Sequence, residues 1–170
     1  MTRLHYVKLG RGPVVVLSHA LGCNLGMWDE VAALLQERYT VLRYDQRGHG
    51  RSERTTTPYT LDDLADDAAA LIRDVVRGPV HFAGLSMGGM VAQALAVRHP
   101  TLVKSIVIAN SAGYYDEAAR TMWQARVQTV RTQGMAAIAE GALQRWFTPE
   151  FRADLQRGAA RVQAMRGELE

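Results

Sequence analysis

The stretch Gly84-Leu85-Ser86-Met87-Gly88 decides the fold class of this 170-residue chain. It follows an apolar run at residues 80–83 and precedes a helix-like pattern at residues 89–95. A G-x-S-x-G pattern between a strand and a helix places the serine on a sharp turn, with its hydroxyl above the end of the sheet. Glycines on either side let strand and helix approach closely, and the helix start directs N–H groups at developing negative charge. The pattern predicts that Ser86 is a nucleophile rather than a buried serine in a glycine turn.

Strand and helix patterns alternate around this stretch. Short apolar runs predict strands at residues 4–9, 14–17, 39–44, 80–83 and 103–109. Helical spacing predicts helices at residues 27–35, at residues 61–76 with Thr60 as N-cap, and after Ser86. This alternation predicts an α/β fold with a doubly wound, mostly parallel sheet, whose ligands bind at the carboxyl ends of the strands. Ser86 and the loops after residues 17 and 44 lie at that edge.

From about Tyr114 onward the pattern contains helices only. They are expected at residues 117–133, at residues 135–146, and after Thr148, which precedes Pro149 at a first helical position. A block of helices inserted after a strand usually covers a site. We expect an α/β core at residues 1–112 and a helical lid at residues 113–170; the alternative is a set of ordinary surface helices.

The composition is typical of one globular domain and gives no indication of a polyanionic partner. The chain is 48% hydrophobic and 22% charged, and its net charge of +3 contains no block of like charge. Nucleic-acid binding is therefore not expected. The single Cys23 and the lack of an apolar leader or long apolar span favour a cytoplasmic protein without a membrane partner. No metal or cofactor is expected, because His-Glu-x-x-His, paired-cysteine and glycine-lysine phosphate motifs are all missing.

Three motifs together resemble the α/β-hydrolase superfamily: SHALG at 18–22, DQRGHGRS at 45–52 and GLSMGG at 84–89. Three further stretches are similar to the 3-oxoadipate enol-lactonases: LGMW at 25–28, VLRYD at 41–45 and QRWFT at 144–148. These enzymes open a lactone ring in the β-ketoadipate pathway of aromatic breakdown. The resemblance covers essentially the whole chain.

The resemblance implies roles for three residues and a class of substrate. Ser86 would attack the lactone carbonyl, and the backbone N–H groups of Leu21 and Met87 would form the oxyanion hole. The implied substrate is an anionic lactone, and an arginine can pair with its carboxylate through two hydrogen bonds. Trp123 and Arg126 lie three residues apart and are our candidates for binding it; the alternative is a core tryptophan beside a solvated arginine.

The catalytic histidine and acid are not expected within this chain. The family order is Ser, acid, His, yet the last histidine here is His99. His99 and His81 would lie about 20 Å and about 16 Å from Ser86. His19 and His49 are expected to brace loops, with a role as base left open, and Asp45 is expected to brace its loop rather than serve as triad acid.

The resemblance also implies that the family continues from the lid into two more strands that carry the acid and the histidine. We therefore expect the 170 residues alone to be an inactive, C-terminally truncated form of the fold. The strand at residues 103–109 would be an open apolar edge, which predicts self-association. A monodisperse, cooperatively melting monomer would contradict that prediction.

Other functions remain open at this stage. Carboxylesterases, haloperoxidase-like esterases and carbon–carbon bond hydrolases share the Ser86 turn and differ in lid and pocket. A catalytically inert binding module on the same scaffold is a further alternative, because acid and histidine are missing. A fluorophosphonate that labels Ser86 strongly would favour the hydrolases.

Overall fold

A computed structural model describes residues 2–154, which divide after Gly113 into two compact units. The first unit contains a five-stranded sheet of order β1-β3-β2-β4-β5, in which β1 is antiparallel to β3 and the other pairs are parallel. Its strands are β1 (Tyr6–Leu9), β2 (Val14–Ser18), β3 (Thr40–Tyr44), β4 (Val80–Leu85) and β5 (Val103–Ala109). The predicted α/β class with a mostly parallel sheet is confirmed.

The helices of the first unit follow the predicted alternation. They are α1 (Asp29–Leu35), α2 (Leu61–Val75) and α3 (Met87–Arg98), with short 3₁₀ turns at Leu25–Trp28 and Pro100–Leu102. The stretch expected as one helix at residues 27–35 therefore begins as a 3₁₀ turn, whose N-cap Asn24 accepts a hydrogen bond from Gly26 N–H. Strand β1 begins two residues later than expected, at Tyr6.

Helices cover both faces of the sheet. α2 and α3 pack on the face that holds Val16 and Phe82, whereas Ala32 of α1 packs on the other face beside Leu17 and Val41. Each of these side chains is at most 1% exposed. Because successive strand residues point to opposite faces, the apolar pair Val16 and Leu17 in central β2 serves both layers.

Helix α2 begins at a capping box. The side chain of Thr60 accepts from Asp63 N–H, and the Asp63 carboxylate accepts from Thr60 N–H. This reciprocal pair satisfies two backbone donors at the helix start, and it sets the N-terminus at the residue predicted from the sequence.

The second unit contains α4 (Glu117–Gln133), α5 (Ala136–Trp146) and α6 (Pro149–Ala153). Asp116 caps α4 and Thr148 caps α6, each by accepting an N–H three residues later. Gly134 ends α4 with φ of 81°, a conformation that favours glycine. Across residues 2–154, no helix combines the length and apolar character needed to cross a bilayer.

Candidate active site

The turn between β4 and α3 holds Ser86 in a strained conformation. Its φ of 54° and ψ of −114° lie outside the regions that non-glycine residues normally occupy. A Cβ at Gly84 would lie 2.0 Å from Gly88 O, so the strand can cross the helix start only without a side chain there. Strain of this kind persists where the surrounding structure fixes it, and such residues cluster at functional sites.

Hydrogen bonds hold the backbone of Ser86 and leave its hydroxyl unengaged. The Ser86 carbonyl accepts from Gly89 N–H at 2.9 Å and from Ser111 Oγ at 2.7 Å, and Ser86 N–H donates to Ala109 O at 2.9 Å. Ser86 is half-buried, and its Oγ makes no hydrogen bond to any other residue of the described range. Within residues 2–154, the hydroxyl is therefore not committed to a protein partner.

Two backbone amides beside this turn also lack acceptors. In the loop after β2, Ala20 N–H donates to Met27 Sδ, Gly22 N–H to His49 Nε2 and Cys23 N–H to Ala20 O. Within residues 2–154, Leu21 N–H has no such acceptor, and neither does Met87 N–H at the first position of α3. Two unsatisfied amides are what an oxyanion hole requires.

The sheet brings these two amides to one edge. Ser18, the last residue of β2, pairs with Gly84, the next-to-last residue of β4, so Leu21 and Met87 each follow this pair by three residues. A Cβ at Gly88 would lie 2.2 Å from Ser18 O, which means that the start of α3 packs directly on the chain leading to Leu21. The turn with Ser86 and Met87 and the loop with Leu21 therefore start from adjacent strand ends, and the oxyanion role of the two amides stays a prediction.

His19 is a fully buried brace. Its Nε2 accepts from Gln46 N–H at 2.9 Å, and its Nδ1 faces Ala20 O at 2.8 Å. A ring nitrogen facing a carbonyl carries the proton and one facing an N–H does not, so His19 is neutral. Burial lowers the pKa of His19 to about 4. With both nitrogens occupied, His19 is not placed to act as base for Ser86.

His49 is in the same tautomer. Its Nδ1 donates to Arg47 O at 3.0 Å, and its Nε2 accepts from Gly22 N–H at 3.3 Å. Burial lowers the pKa of this imidazole as well. Its ring centroid lies 5.1 Å from that of His19. Both histidines therefore brace the loop that carries Leu21.

Asp45 shapes the 45–52 loop. One carboxylate oxygen accepts from Leu25 N–H at 2.7 Å and the other from Arg51 N–H at 2.9 Å. A Cβ at Gly50, which has φ of 50°, would lie 2.4 Å from this carboxylate. Both oxygens are engaged, which matches the bracing role predicted for Asp45.

The other three histidines are not beside Ser86. His81 Nδ1 pairs with Ser105 Oγ at 2.8 Å, near the amino end of β4. His99, past the far end of α3, pairs through Nε2 with Asp66 at 2.7 Å. His5 pairs its backbone with the end of β3, whose carboxyl end is two strands, or about 10 Å, from that of β4.

Trp123 and Arg126 come together on α4 in the second unit. The Arg126 guanidinium carbon lies 4.8 Å from the Trp123 ring centroid, and Tyr115 packs edge-on against the same ring at 6.3 Å. Both candidates are half-buried. A cation held over a tryptophan face keeps its N–H edge available for a carboxylate.

Two residues that support the site have no recognisable signal in the sequence. Ser111 holds the Ser86 carbonyl, and Gln46 holds His19 through both its backbone and its side chain. No spacing rule predicts such bonds, because they join loops that only the folded sheet brings together. A separate cleft of about 470 Å³ between residues 2–8 and α2 contains none of the candidate residues. In residues 2–154, no three potential metal-binding side chains cluster.

Comparisons with known proteins agree with the observed α/β fold. A family model described as the α/β hydrolase fold matches residues 13–160. The chain is 41% identical to "3-oxoadipate enol-lactonase 2" of Acinetobacter baylyi over 153 residues, 89% of this chain and 57% of that protein. It is 35% identical to "2-(acetamidomethylene)succinate hydrolase" of Mesorhizobium japonicum, over 73% of this chain and 45% of that protein.

A solved structure is similar as well. The crystal structure of the enol-lactonase from Burkholderia xenovorans superposes with a TM-score of 0.89 at 36% identity, over 99% of this chain and 64% of that one. The chain thus spans about half the length of the curated relatives it matches.

Proposed function

Because the chain belongs to the α/β-hydrolase fold family, we propose that it supplies the nucleophile and oxyanion hole of a carboxylic-ester or lactone hydrolase. The observation that carries this proposal is the strained Ser86 with an unengaged hydroxyl, on the same edge of the sheet as the unsatisfied amides of Leu21 and Met87. A buried structural serine would need none of these three features.

The proposed reaction has two steps. Ser86 Oγ bonds to the carbonyl carbon, and the carbonyl oxygen becomes an anion that the N–H groups of Leu21 and Met87 stabilise. Each such donor contributes about 3 to 4 kcal/mol in comparable sites. The ring C–O bond then breaks to give an acyl-enzyme, and water cleaves the acyl bond to release the open acid and restore Ser86.

A base must take the proton of Ser86. Among residues 2–154, His19 and His49 have both ring nitrogens engaged, and His99 is paired with Asp66 beyond the far end of α3. We therefore propose that the 170 residues alone are inactive and that the acid and histidine lie outside them.

For the substrate, we propose an anionic lactone, 3-oxoadipate enol-lactone, in the cytoplasmic breakdown of aromatic compounds. Two relatives support a carboxylate-bearing substrate, because their names specify 3-oxoadipate and a succinate. Arg126, stacked on Trp123, is the proposed partner of that carboxylate. Cell fractionation that recovers the protein outside the cytoplasm would contradict the location.

A chimeric enzyme tests the proposed function. Residues 2–154 replace the matching segment of the Acinetobacter baylyi enol-lactonase, which supplies the remaining chain. We expect this chimera to open 3-oxoadipate enol-lactone and its Ser86→Ala variant to be inactive, while the 170 residues alone show no turnover.

The same chimera separates the rival functions. Faster turnover of simple aryl esters than of the lactone would favour a general esterase. A folded chimera with no hydrolysis of any ester or lactone would favour the binding module and contradict the proposal.

A further inference from the structure

His49 connects two loops at the candidate site. It belongs to the 45–52 loop, yet its Nε2 accepts a hydrogen bond from Gly22, 27 residues earlier in the chain. Gly22 directly follows Leu21, whose N–H is the proposed oxyanion donor. The imidazole of His49 therefore reaches the loop whose orientation decides where that donor points.

We propose that His49 is a positioning residue of the oxyanion hole: as a neutral imidazole it fixes the Gly22 amide and thereby the orientation of Leu21 N–H. This inference rests on the proposed function of Ser86. His49 itself does not touch the reacting atoms.

Leu21 lies between two peptide planes. The preceding plane, which carries Leu21 N–H, is held through Ala20 O by His19 Nδ1 at 2.8 Å and by Cys23 N–H at 3.2 Å, and the following plane is held by His49. The Gly22 N–H belongs to the rigid peptide plane that starts at Leu21 Cα, so holding it restricts ψ of Leu21. Gly22 has φ of 73°, where glycine has wide conformational freedom. The preceding amide, Ala20 N–H, donates only to Met27 Sδ, and a thioether is a weak acceptor. The bond to His49 is thus the contact that holds the peptide plane on the C-terminal side of Leu21.

His49 is itself firmly held. The Arg47 carbonyl that accepts from its Nδ1 also accepts from Tyr59 Oη at 3.2 Å. The Arg47 guanidinium forms two hydrogen bonds of 2.7 and 2.8 Å with Asp67 of helix α2. These bonds connect His49 through Arg47 to helix α2 and so hold Nε2 in place against the core of the first unit.

Protonation would break the contact. An imidazolium carries a proton on Nε2, which would then face the Gly22 N–H donor. Three titratable groups face His49: the His19 ring, the Asp45 carboxylate and the Tyr59 hydroxyl on its carbonyl partner. Burial lowers the pKa of His49 and outweighs the hydrogen bond to Arg47 O and the attraction of Asp45, which both raise it. The hydrogen bond from Gly22 is therefore intact above pH 6.5, the pKa of an unfolded histidine. It is lost as the pH falls through the lower pKa that His49 has in the folded protein.

The thiol of Cys23 reports on the loop without any need for catalysis. Cys23 is only 4% exposed and its N–H donates to Ala20 O in the same loop, so a reagent reaches the thiol when the loop opens. The rate at which 4,4′-dithiodipyridine modifies the Cys23 thiol of the 170-residue chain is measured from pH 8 to pH 4.5. Each rate is divided by the rate of the same variant unfolded in urea, which corrects for the pH dependence of the thiol itself. Amide exchange of Gly22 is followed in parallel. The variants are His49→Phe, which removes the acceptor, and His49→Gln, which keeps an acceptor that does not titrate. His81→Gln is the control outside the loop.

At pH 8 we expect His49→Phe to raise the Cys23 rate by about threefold to tenfold, the effect of one hydrogen bond. The parent rate should rise as pH falls below 6.5, whereas His49→Gln should stay level until His19 titrates near pH 4. His81→Gln should follow the parent. In the enol-lactonase chimera, His49→Phe should lower kcat far more than it changes KM, and His49→Gln should restore kcat.

The inference is overturned if His49→Phe leaves the Cys23 rate unchanged, or if His49→Gln keeps the acid response of the parent. Should His49→Phe fail to fold, the pH course of His49→Gln decides alone. An active chimera with an unaffected loop contradicts this inference only. An inactive chimera with the expected loop response contradicts the proposed function of Ser86 only.

Discussion

At the scale of single residues, two glycines determine the conformation of Ser86 by leaving no room for a side chain. A Cβ at Gly84 would lie 2.0 Å from a backbone oxygen of the helix, and one at Gly88 would lie 2.2 Å from Ser18 O. These distances are far shorter than van der Waals contact. The strand, the turn and the first turn of α3 therefore act as one rigid unit that holds φ of Ser86 at 54°.

Replacing Gly88 with Ala should destabilise the protein by about 2 to 3 kcal/mol, because the new methyl group overpacks against backbone that cannot move away. Gly78→Ala is the matched control, since nothing lies within 4 Å of its Cβ position. It should change the free energy of unfolding by less than about 0.5 kcal/mol. Urea unfolding followed by circular dichroism measures both, and equal stabilities would show that the turn tolerates a side chain.

The sequence predicts the turn at Ser86 but not all of the hydrogen bonds that support the site. The G-x-S-x-G pattern is local, so residues within five positions encode the turn. The bond from Gly22 to His49 spans 27 positions and that from Ser111 to Ser86 spans 25. Such bonds depend on which loops the sheet order makes neighbours, and residue spacing carries no information about that order.

At the scale of elements, helix ends were predicted best where a side chain fixes them. Thr60 starts α2 through a reciprocal pair with Asp63, and Thr148 caps α6 before Pro149. The 3₁₀ turn at Leu25–Trp28 was not predicted, because its residues have the same apolar spacing as the helix that follows. On α4, the three-residue spacing of Trp123 and Arg126 correctly placed their side chains together.

Arg126→Ala in the enol-lactonase chimera tests the proposed role of α4. Loss of a charge-assisted pair should raise KM for the anionic lactone by about tenfold or more, and leave KM for a neutral aryl ester nearly unchanged. Arg131→Ala, at an exposed position of the same helix, is the control and should change neither value. An equal rise of KM for both substrates would remove Arg126 from carboxylate binding.

At the scale of the whole molecule, the sheet order explains why the site is at one edge. β2 lies between β3 and β4, so the loops after all three strands meet at their carboxyl ends. The alternating pattern predicted this edge, but it did not predict that order. On the outer side, β5 pairs only with β4 within the described residues, and Val107 and Ile108 are 59% and 43% exposed. Self-association through this strand stays a prediction.

A serine probe shows whether Ser86 is a nucleophile served by the amides of Leu21 and Met87. The most direct measurement is to react the enol-lactonase chimera with a fluorophosphonate and to identify the modified residue by peptide mass spectrometry. We predict one phosphonyl group, on Ser86, and no adduct in the Ser86→Ala variant. A folded chimera that stays unlabelled, or that carries the label on another residue, would show that Ser86 is not the nucleophile.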